Sequence, residues 1–353
     1  MSVVPLSAFK GRKEILEAIE RVGLTATAHP LAIEAISGGV SSDVWIVRGV
    51  GKGGSIVAKR ALPRLRVEQE WLVDTGRTRI EALWTTMAAR HFPGRVPLPL
   101  GFDAETGILF LDYLAPPAYR QWREVLLSGE VDTDFAAQVG QAVAHFHAAS
   151  ISNPEDRAGF DDKTIFRQTR IDPYFDTLAR AHPDVRDHIV ETAAVLLQSR
   201  AAIIHGDISP KNILVGPEGP VFLDAECACL SDPAFDLPFC LAQMLLKELI
   251  PAAEPGRLSD AAQACASAYL DRASWEPVGP LEARMVKLLA IFMLGRVDGK
   301  VPVPYLRTDQ QRAIVRRFAS AALWSRPLSL AGMIGNWKSC MLQKHSQIAA
   351  AGG

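Results

Sequence analysis

Three polar side chains between residues 203 and 224 have types and spacing that suit chemistry on an attacking hydroxyl. In the stretch IIHGDISPKNILV, Asp207 follows a glycine on a sharp turn, and Asn212 comes five residues later in front of an apolar run. Asp224 ends the run VFLD, twelve residues after Asn212. An amide oxygen and a carboxylate are hard ligands suited to Mg²⁺, and a second carboxylate can accept the proton of a hydroxyl. An Asx-rich turn without chemistry is the alternative.

A lysine and a glutamate in the N-terminal third carry charges that phosphate binding would use. Lys59 stands in SIVAKRA, where strand alternation places it on the face opposite Ala58. Glu81 borders the apolar face of the following helix, where it can pair with Lys59 as the strand lysine and helix glutamate of protein kinases do. A snorkelling edge lysine and a solvated helix glutamate are the plain alternatives, and Glu68 and Glu70 are rival partners.

The turn SGGVSS, residues 37–42, joins the first two predicted strands. Its glycines remove Cβ atoms where a backbone bends sharply or approaches a ligand. Its serines add hydroxyl and amide N–H groups that suit a loop covering phosphates. An ordinary Gly-rich hairpin explains the same residues.

The segments HGDISPKNILV and VFLDAECACLSDPAFDLP resemble the aminoglycoside phosphotransferase and choline kinase-like family of small-molecule kinases, which share the protein-kinase fold. The stretch EWLVDTGRTRIEALW is similar to a segment of methylthioribose kinases. The resemblance implies an α+β, two-lobed protein-kinase-like fold. Its β-rich N-terminal nucleotide-binding lobe would cover residues 1–114, and a mostly helical catalytic and substrate-binding lobe would cover residues 115–353.

By this resemblance, the chain would use ATP and Mg²⁺ to phosphorylate a hydroxyl of a small molecule. Asp207 would be the catalytic base, and Asn212 and Asp224 would be the metal ligands. Asp236 would brace the catalytic loop from below, and His205 would have a structural role. The residues implied to bind the nucleotide are Ser37, Gly38, Gly39, Ser41, Ser42, Lys59, Glu81, Asp112 and Leu114.

The identity of the acceptor is less constrained by the sequence. The C-terminal part has few clustered acids, which favours a neutral sugar-like substrate over a cationic aminoglycoside or choline-like amino alcohol. A non-catalytic nucleotide-binding protein of the same fold is the alternative from another class. By similarity to methylthioribose kinases, Trp71 and Arg79 would lie near nucleotide or substrate. The roles of Lys211, Glu226 and the segment 295–306 stay open, as does the choice between ATP and GTP.

The elements that must position these residues follow from hydrophobic periodicity. An amphipathic helix is predicted over residues 9–22 and another over 76–91. LAIEAI, DVWIVRG and SIVAKRA predict three antiparallel strands, and VPLPLGFD and GILFLDYL predict two more. Beyond residue 115 the pattern is mostly helical. The predicted helices there are DTDFAAQVGQAVAHFHAAS and the stretches near 171–199, 235–250, 258–273, 279–297 and 308–325.

Length and composition limit the class of protein. The 353 residues suffice for one large domain or two lobes, and 48% hydrophobic with 22% charged residues describe an ordinary globular chain. The formal net charge of −1 gives no global attraction for nucleic acid or for an anionic membrane. Five cysteines without a C-x-x-C pair fit a reducing compartment, and no apolar run is long enough to span a membrane. We expect a cytoplasmic protein with a small-molecule partner and leave its oligomeric state open.

Overall fold

The structure is a computed structural model that describes most of the 353-residue chain. The described residues are 11–26, 31–36, 39–50, 54–66, 70–250, 254–325 and 329–351. The backbone forms two compact units, of which the first holds the residues up to 119 together with 221–228. The second unit holds residues 120–220 and those from 229 onward. Segment 221–228 therefore belongs with the N-terminal unit, although about a hundred residues of the second unit precede it in the sequence.

The first unit is built on a five-stranded antiparallel sheet. Its strands are β1 (Ala32–Ile36), β2 (Ser42–Arg48), β3 (Ser55–Ala61), β4 (Pro99–Asp103) and β5 (Ile108–Asp112), in the order β1-β2-β3-β5-β4. Helix α1 (Arg12–Arg21) precedes the sheet, and helix α2 (Arg77–His91) follows β3 in the sequence. These five strands and two helices are confirmed predictions.

Strand alternation in β3 divides its side chains between the two faces of the sheet. Ala58 enters a core that also contains Ile15 of α1. Val57, on the other face, packs against a cluster that contains Ala82 of α2. Lys59 follows the alternation and shares the face of Val57. The strand therefore presents its lysine to α2.

The second unit is mostly helical. Its helices are α3 (Trp122–Leu127), α4 (Thr133–Ser152), α5 (Thr164–Phe166), α6 (Thr177–Ala181), α7 (Arg186–Gln198), α8 (Asp236–Leu245), α9 (Arg257–Leu270), α10 (Val278–Asp298), α11 (Asp309–Ser325) and α12 (Leu330–Ala351). A π-helix (Arg167–Asp176) joins α5 to α6, and a 3₁₀ turn (Leu246–Leu249) extends α8. Short strands β6 (Arg120–Gln121) and β8 (Ile213–Gly216) pair with each other, as do β7 (Ala202–Ile204) and β10 (Cys229–Ser231). Strand β9 (Gly219–Phe222) leads the chain into segment 221–228.

Helices α4 and α9 approach each other closely at Gly140. A Cβ atom at this position would collide with the carbonyl oxygen of Cys265, so the packing requires glycine here. The N-terminus of α4 is capped by Asp132, whose Oδ1 accepts hydrogen bonds from the N–H groups of Asp134 at 2.9 Å and Phe135 at 3.0 Å. Capping and close packing fix the helix that carries His147.

The helices of the second unit differ from the predicted ones at two places. Near 171–199, where the sequence predicts helix, the structure has the end of the π-helix, α6 and α7, with a break between α6 and α7. Pro183 stands in the gap between α6 and α7, where its missing N–H and its ring prevent a continuous helix. Helix α12 was not predicted. No helix in the described ranges combines the length and the apolar character that crossing a membrane requires.

Candidate active site

Lys59 lies between two carboxylates in the first unit. Its Nζ donates a hydrogen bond to Glu81 Oε1 at 2.8 Å and also contacts Asp224 Oδ1. The lysine is 8% exposed and the glutamate 2%, so water screens their attraction little. Strand β3 supplies Lys59, helix α2 supplies Glu81, and segment 221–228 supplies Asp224. The structure thus brings three of the predicted site residues into contact.

The contacts of Lys59 set its charge. Burial disfavours the ammonium, but the charges of Asp224 and Glu81 outweigh that effect and raise the pKa of Lys59 above its usual range. Burial raises the pKa of Glu81 to about 7, against the attraction of Lys59. The ammonium therefore stays protonated at neutral pH and is a fixed positive charge of the kind that stabilises phosphate oxygens.

Asp224 has a backbone conformation that ordinary residues avoid. Its φ is +71°, and among the described residues it is the one non-glycine residue with a positive φ. Such a conformation costs about 1–3 kcal/mol and is concentrated at functional sites. The side chain is 19% exposed, so part of the carboxylate faces solvent. The direction of this carboxylate is thus set by an unusual backbone at the end of an apolar run.

Arg77, at the start of α2, is a fully buried cation. Its Nε donates to Glu226 Oε2 at 3.1 Å, and Nη2 donates to the carbonyl oxygens of Ser41 at 2.5 Å and Leu62 at 2.6 Å. Ser41 directly precedes β2 and Leu62 directly follows β3. One guanidinium therefore holds the ends of two strands and the segment that carries Glu226 together. Burial and a neighbouring carboxylate raise the pKa of Glu226, and Arg77 opposes the rise. Sequence analysis did not select Arg77.

The predicted phosphate-covering turn is only partly described. Ser37 and Gly38 lie outside the described residues. A Cβ atom on Gly39 would lie 2.6 Å from the carbonyl oxygen of Ser42, so the turn itself requires this glycine. The carbonyl oxygen of Ser41 accepts a hydrogen bond from the N–H of Leu62. Ser42 Oγ is buried with no hydrogen-bond partner in the described part of the chain. Phosphate contact by this turn stays a prediction.

Asp112 and Leu114 lie at the end of β5. Asp112 pairs with Ile56 in the sheet register, and its N–H donates to the carbonyl oxygen of Leu98 at 2.9 Å. Leu114 follows the strand and is half-buried. The amide of Asp112 is therefore used within the sheet, and an adenine contact in this segment would use other backbone groups.

Both carboxylate oxygens of Asp207, in the second unit, have hydrogen-bonding partners. Asn212 Nδ2 donates to Asp207 Oδ2 at 2.7 Å and to the carbonyl oxygen of Asp207 at 3.1 Å. Arg170 Nη2 lies 2.9 Å from Asp207 Oδ1. Asn212 ends a 3₁₀ turn (Pro210–Asn212) directly before β8, which fixes the loop between the two residues. Each carboxylate oxygen has a further lone pair, so Asp207 can still accept a hydrogen bond from a hydroxyl.

Arg170, from the π-helix, is a second arginine that sequence analysis did not select. It is 9% exposed, and its Nε donates to the carbonyl oxygen of Gly206 at 2.5 Å. Its Cζ lies 5.4 Å from the ring centre of Phe239. Because these contacts restrain the guanidinium, Arg170 can in turn restrain the carboxylate of Asp207.

Asp236, at the start of α8, braces the loop that carries Asp207. Its Oδ2 accepts from the N–H of His205 at 2.7 Å, and its Oδ1 accepts from the N–H of Gly206 at 2.8 Å. His147 Nε2 lies 3.0 Å from Asp236 Oδ2. Burial opposes ionisation of Asp236, but these donors outweigh it and hold the pKa of the carboxyl below its usual range. The ring of His205 accepts the N–H of Asp207 through Nδ1 at 3.2 Å, which is a structural contact.

Other residues considered from the sequence lie away from these contacts. Arg79 is exposed on α2. Glu70, a rival partner for Lys59, instead pairs with an arginine at 3.8 Å, and Glu68 lies outside the described residues. Lys211 is exposed, and its carbonyl oxygen accepts a hydrogen bond from the side chain of Gln121 at 2.9 Å.

Comparison with known families decides the family of the chain. Residues 32–281 match the phosphotransferase enzyme family, APH. The chain belongs to this family. The matched range includes Lys59, Asp207 and Asp224, and it confirms the resemblance inferred from the sequence motifs.

Members and structural neighbours of the phosphotransferase family support the fold. A methylthioribose kinase from Pectobacterium atrosepticum is 27% identical over 250 residues, which are 64% of this chain and 62% of that protein. The chain thus spans less than two thirds of the length of such curated relatives. Amicoumacin kinase hAmiN, solved with AMP-PNP, Ca²⁺ and Ami, is 13% identical with a TM-score of 0.53, over 91% of this chain and 98% of that one. An ethanolamine kinase from Plasmodium vivax is 13% identical with a TM-score of 0.50, over 96% of this chain and 89% of that one. The chain has the predicted α+β, two-lobed protein-kinase-like fold.

Proposed function

We propose that this member of the phosphotransferase family uses ATP and Mg²⁺ to move the γ-phosphoryl group to a hydroxyl of a small molecule. The observation that carries the proposal is the contact of Lys59 with Glu81 and Asp224. Asp207 with Asn212 at 2.7 Å supports it from the second unit. Kinase-fold enzymes use these residue types for phosphoryl transfer, in which positioning and charge neutralisation supply most of the catalysis.

Lys59 would contact the phosphates of the nucleotide. Its ammonium is buried, charged and restrained by Glu81 and Asp224, so it is positioned before a nucleotide arrives. A charge placed in advance stabilises the developing negative charge without reorganisation during the reaction. Glu81 would be a positioning residue that acts through Lys59.

Asp224 and Asn212 would hold Mg²⁺. Asn212 directs its amide nitrogen to Asp207, which leaves its Oδ1 as an acceptor. Asp224 offers a partly exposed carboxylate. Both groups are the hard oxygen donors that Mg²⁺ prefers, so the residues present fit this ion. When bound, Mg²⁺ would neutralise charge on the phosphate oxygens.

Asp207 would orient the acceptor hydroxyl and take up its proton. Its carboxylate is restrained on both oxygens by Arg170 and Asn212, so its position is well defined. Phosphoryl transfer through a loose transition state needs an oriented nucleophile more than a strong base. A restrained carboxylate with lone pairs left for a hydroxyl meets this requirement.

For the acceptor we propose a hydroxylated, sugar-like small molecule. Several curated relatives that match this chain are named methylthioribose kinases, and those names supply the class. We also place the enzyme in the cytoplasm, where ATP is available. The five cysteines are free thiols, which such a reducing compartment preserves.

A panel of acceptors tests the proposal most broadly. The panel contains ribose, 5-methylthioribose, sugar acids, choline, ethanolamine and an aminoglycoside, each with ATP and Mg²⁺. We expect ADP release that depends on one acceptor, and a product heavier by one phosphoryl group in mass spectrometry. Both signals should disappear when EDTA removes Mg²⁺. Nucleotide binding without a phosphorylated product from any acceptor class would favour a non-catalytic protein of the same fold.

A further inference from the structure

Two neighbouring cations of the second unit, Lys247 and Arg296, pack against aromatic rings. Lys247, in the 3₁₀ turn after α8, is 2% exposed, and its Nζ lies 5.4 Å from the ring centre of Tyr305. Arg296, near the end of α10, has its Cζ 5.4 Å from the ring centres of both Tyr174 and Phe239. In the part of the chain that the structure describes, neither cation contacts a carboxylate.

The electrostatics of this pair are unfavourable for the protein alone. Burial and, next, the charge of Arg296 lower the pKa of Lys247 to about 7, so the two cations are close enough to repel each other. Arg284, in the same unit, instead contacts Asp232 at 2.7 Å and Glu276 at 2.8 Å. A buried cation without a counter-charge is strongly destabilising. The contrast identifies Lys247 and Arg296 as groups that a bound anion would stabilise.

Three buried polar atoms of the same region have no hydrogen-bond partner among the described residues. They are Gln243 Nε2, Arg296 Nε and Tyr305 Oη. Burial raises the pKa of Tyr305 above its usual range, so its hydroxyl keeps its proton at neutral pH. All three groups can therefore donate a hydrogen bond, whereas buried polar atoms in proteins are nearly always paired. Donors beside cations suit the oxygens of a carboxylate or a phosphate.

One face of α8 connects these groups to the catalytic loop. The face carries residues that recur every three or four positions: Asp236, Phe239, Gln243 and Lys247. Lys247 Nζ reaches back along the helix and donates to the carbonyl oxygen of Gln243 at 2.7 Å. Gln243 lies seven residues, or about 10 Å of helix, from Asp236. Asp236, at the other end of this face, holds the backbone before Asp207.

Phe239 also links the cations to the catalytic aspartate. The Cζ atoms of Arg170 and Arg296 each lie 5.4 Å from the ring centre of Phe239. The two guanidinium groups are therefore separated by no more than twice that distance. Arg170 contacts Asp207 at 2.9 Å. The ring of Phe239 thus contacts both Arg296 and the arginine that holds Asp207.

We propose that the acceptor carries an anionic group, a carboxylate or a phosphate, which Lys247 and Arg296 bind while its hydroxyl meets Asp207. The inference rests on the proposed function and specifies its substrate. It replaces the neutral substrate that the scarcity of clustered acids favoured. A cavity of about 440 Å³ beside Arg296 is also lined by Arg307 and Arg312, which adds positive charge on that side of Arg296.

Isothermal titration of the full chain with inorganic phosphate and with D-gluconate tests the inference without any phosphoryl transfer. We expect the wild-type chain to bind at least one of these anions and to bind neutral D-glucose much more weakly. Lys247→Met and Arg296→Met should each weaken anion binding by about tenfold or more, because each removes a charge-assisted contact. Arg317→Met removes the same charge from an exposed position on α11 and should bind like the wild type.

Tyr305→Phe keeps the inference testable if a charge-removing variant fails to fold. It deletes a buried hydroxyl without a partner in the described protein, so we expect an unchanged melting temperature and anion binding weaker by about threefold to tenfold. Tighter binding of phosphate would indicate a phosphorylated acceptor and tighter binding of gluconate a sugar acid, and either supports the inference. A wild-type chain that binds neither anion, or unchanged binding in both cation variants, would overturn it. Anion binding without phosphoryl transfer to any acceptor would instead count against the proposed function alone.

Discussion

Lys59 of β3 and Glu81 of α2 are joined by a hydrogen bond of 2.8 Å between two almost fully buried side chains. Asp224 contacts the same ammonium, so two carboxylates share one cation. The position of the lysine therefore depends on the helix and on segment 221–228 as well as on its own strand. If Lys59 binds phosphate as proposed, nucleotide binding should be sensitive to the loss of either carboxylate.

Glu81→Gln tests the role of this contact. The substitution keeps the shape of the side chain and removes one of the two negative charges that restrain Lys59. We expect the KM for ATP to rise by about tenfold, which corresponds to about 1.4 kcal/mol of lost interaction, while the chain stays folded. Steady-state kinetics with varied ATP measure this effect. Glu34→Gln is the matched control, because Glu34 pairs with Arg48 at 3.1 Å at the exposed edge of the same sheet. Equal ATP kinetics in both variants would contradict the assigned role.

Arg170→Met tests whether Arg170 positions Asp207, the proposed catalytic base. Without the guanidinium, Asp207 keeps Asn212 as its partner but loses the contact on Oδ1. We expect kcat to fall by about tenfold to a hundredfold with little change in the KM for ATP, since misplacement of a catalytic group costs rate rather than nucleotide affinity. Arg167→Met, an exposed change on the same helix, should leave kcat unchanged. A merely structural Arg170 would lower the melting temperature and leave the kcat of the folded fraction unaltered.

Asp236→Asn tests the brace under the catalytic loop. The amide of asparagine would turn a donor toward a backbone N–H that now donates to the carboxylate. Breaking a buried charged network of this kind costs about 3–5 kcal/mol, so the midpoint of urea unfolding should fall strongly. Asp260→Asn, which breaks an exposed pair with Lys338, should leave the midpoint unchanged. An unfolding midpoint for Asp236→Asn close to that of the control would contradict the brace.

The buried ammonium of Lys247 gives a pH dependence of stability with a definite sign. Burial, followed by the charge of Arg296, lowers its pKa from the ordinary 10.5 to about 7 in the folded chain. Below pH 7 the lysine is protonated in both states, so the destabilisation is fully present. Between pH 7 and 10.5 the unfolded chain binds a proton that the folded chain does not, so this group favours folding more as the pH rises.

Lys247→Met should therefore raise the free energy of unfolding at pH 6 in phosphate-free buffer by an amount on the order of a few kcal/mol. The melting temperature should rise with it. The difference from the wild type should shrink at pH 8 and again at pH 9.5. Differential scanning calorimetry at the three pH values measures it. A difference that is constant across this range would show that Lys247 does not titrate there.

The elements that carry Lys59, Glu81 and Asp207 could be predicted because each is set by local pattern. Strand alternation in β3, helical periodicity in α2 and the apolar runs around the catalytic loop need only neighbouring residues. Pro183 breaks the helix between α6 and α7, inside the stretch 171–199 for which the sequence predicts helix. Local pattern thus located elements well and their ends less well.

The residues that sequence analysis did not select are those whose partners are distant in the chain. Arg77 donates to Glu226, which is 149 residues away, and no local pattern distinguishes it from exposed Arg79. The proposed anion site joins Gln243 of α8 and Lys247 of the following 3₁₀ turn to Arg296 and Tyr305. In sequence, each of these residues is compatible with an ordinary helix face or loop. Only the folded chain shows that neither cation contacts a carboxylate in the described structure.

Asp207→Asn is the variant that tests the central claim most directly. Asparagine keeps the size of the side chain and can still contact Asn212, but it cannot take the proton of an acceptor hydroxyl. Phosphoryl transfer to an acceptor from the panel and binding of Mg²⁺ with a non-hydrolysable ATP analogue should be measured on the same preparation. We predict that transfer falls by about a hundredfold or more, while the Kd of the nucleotide analogue stays within about threefold of the wild type. Transfer at the wild-type rate in Asp207→Asn would contradict the account.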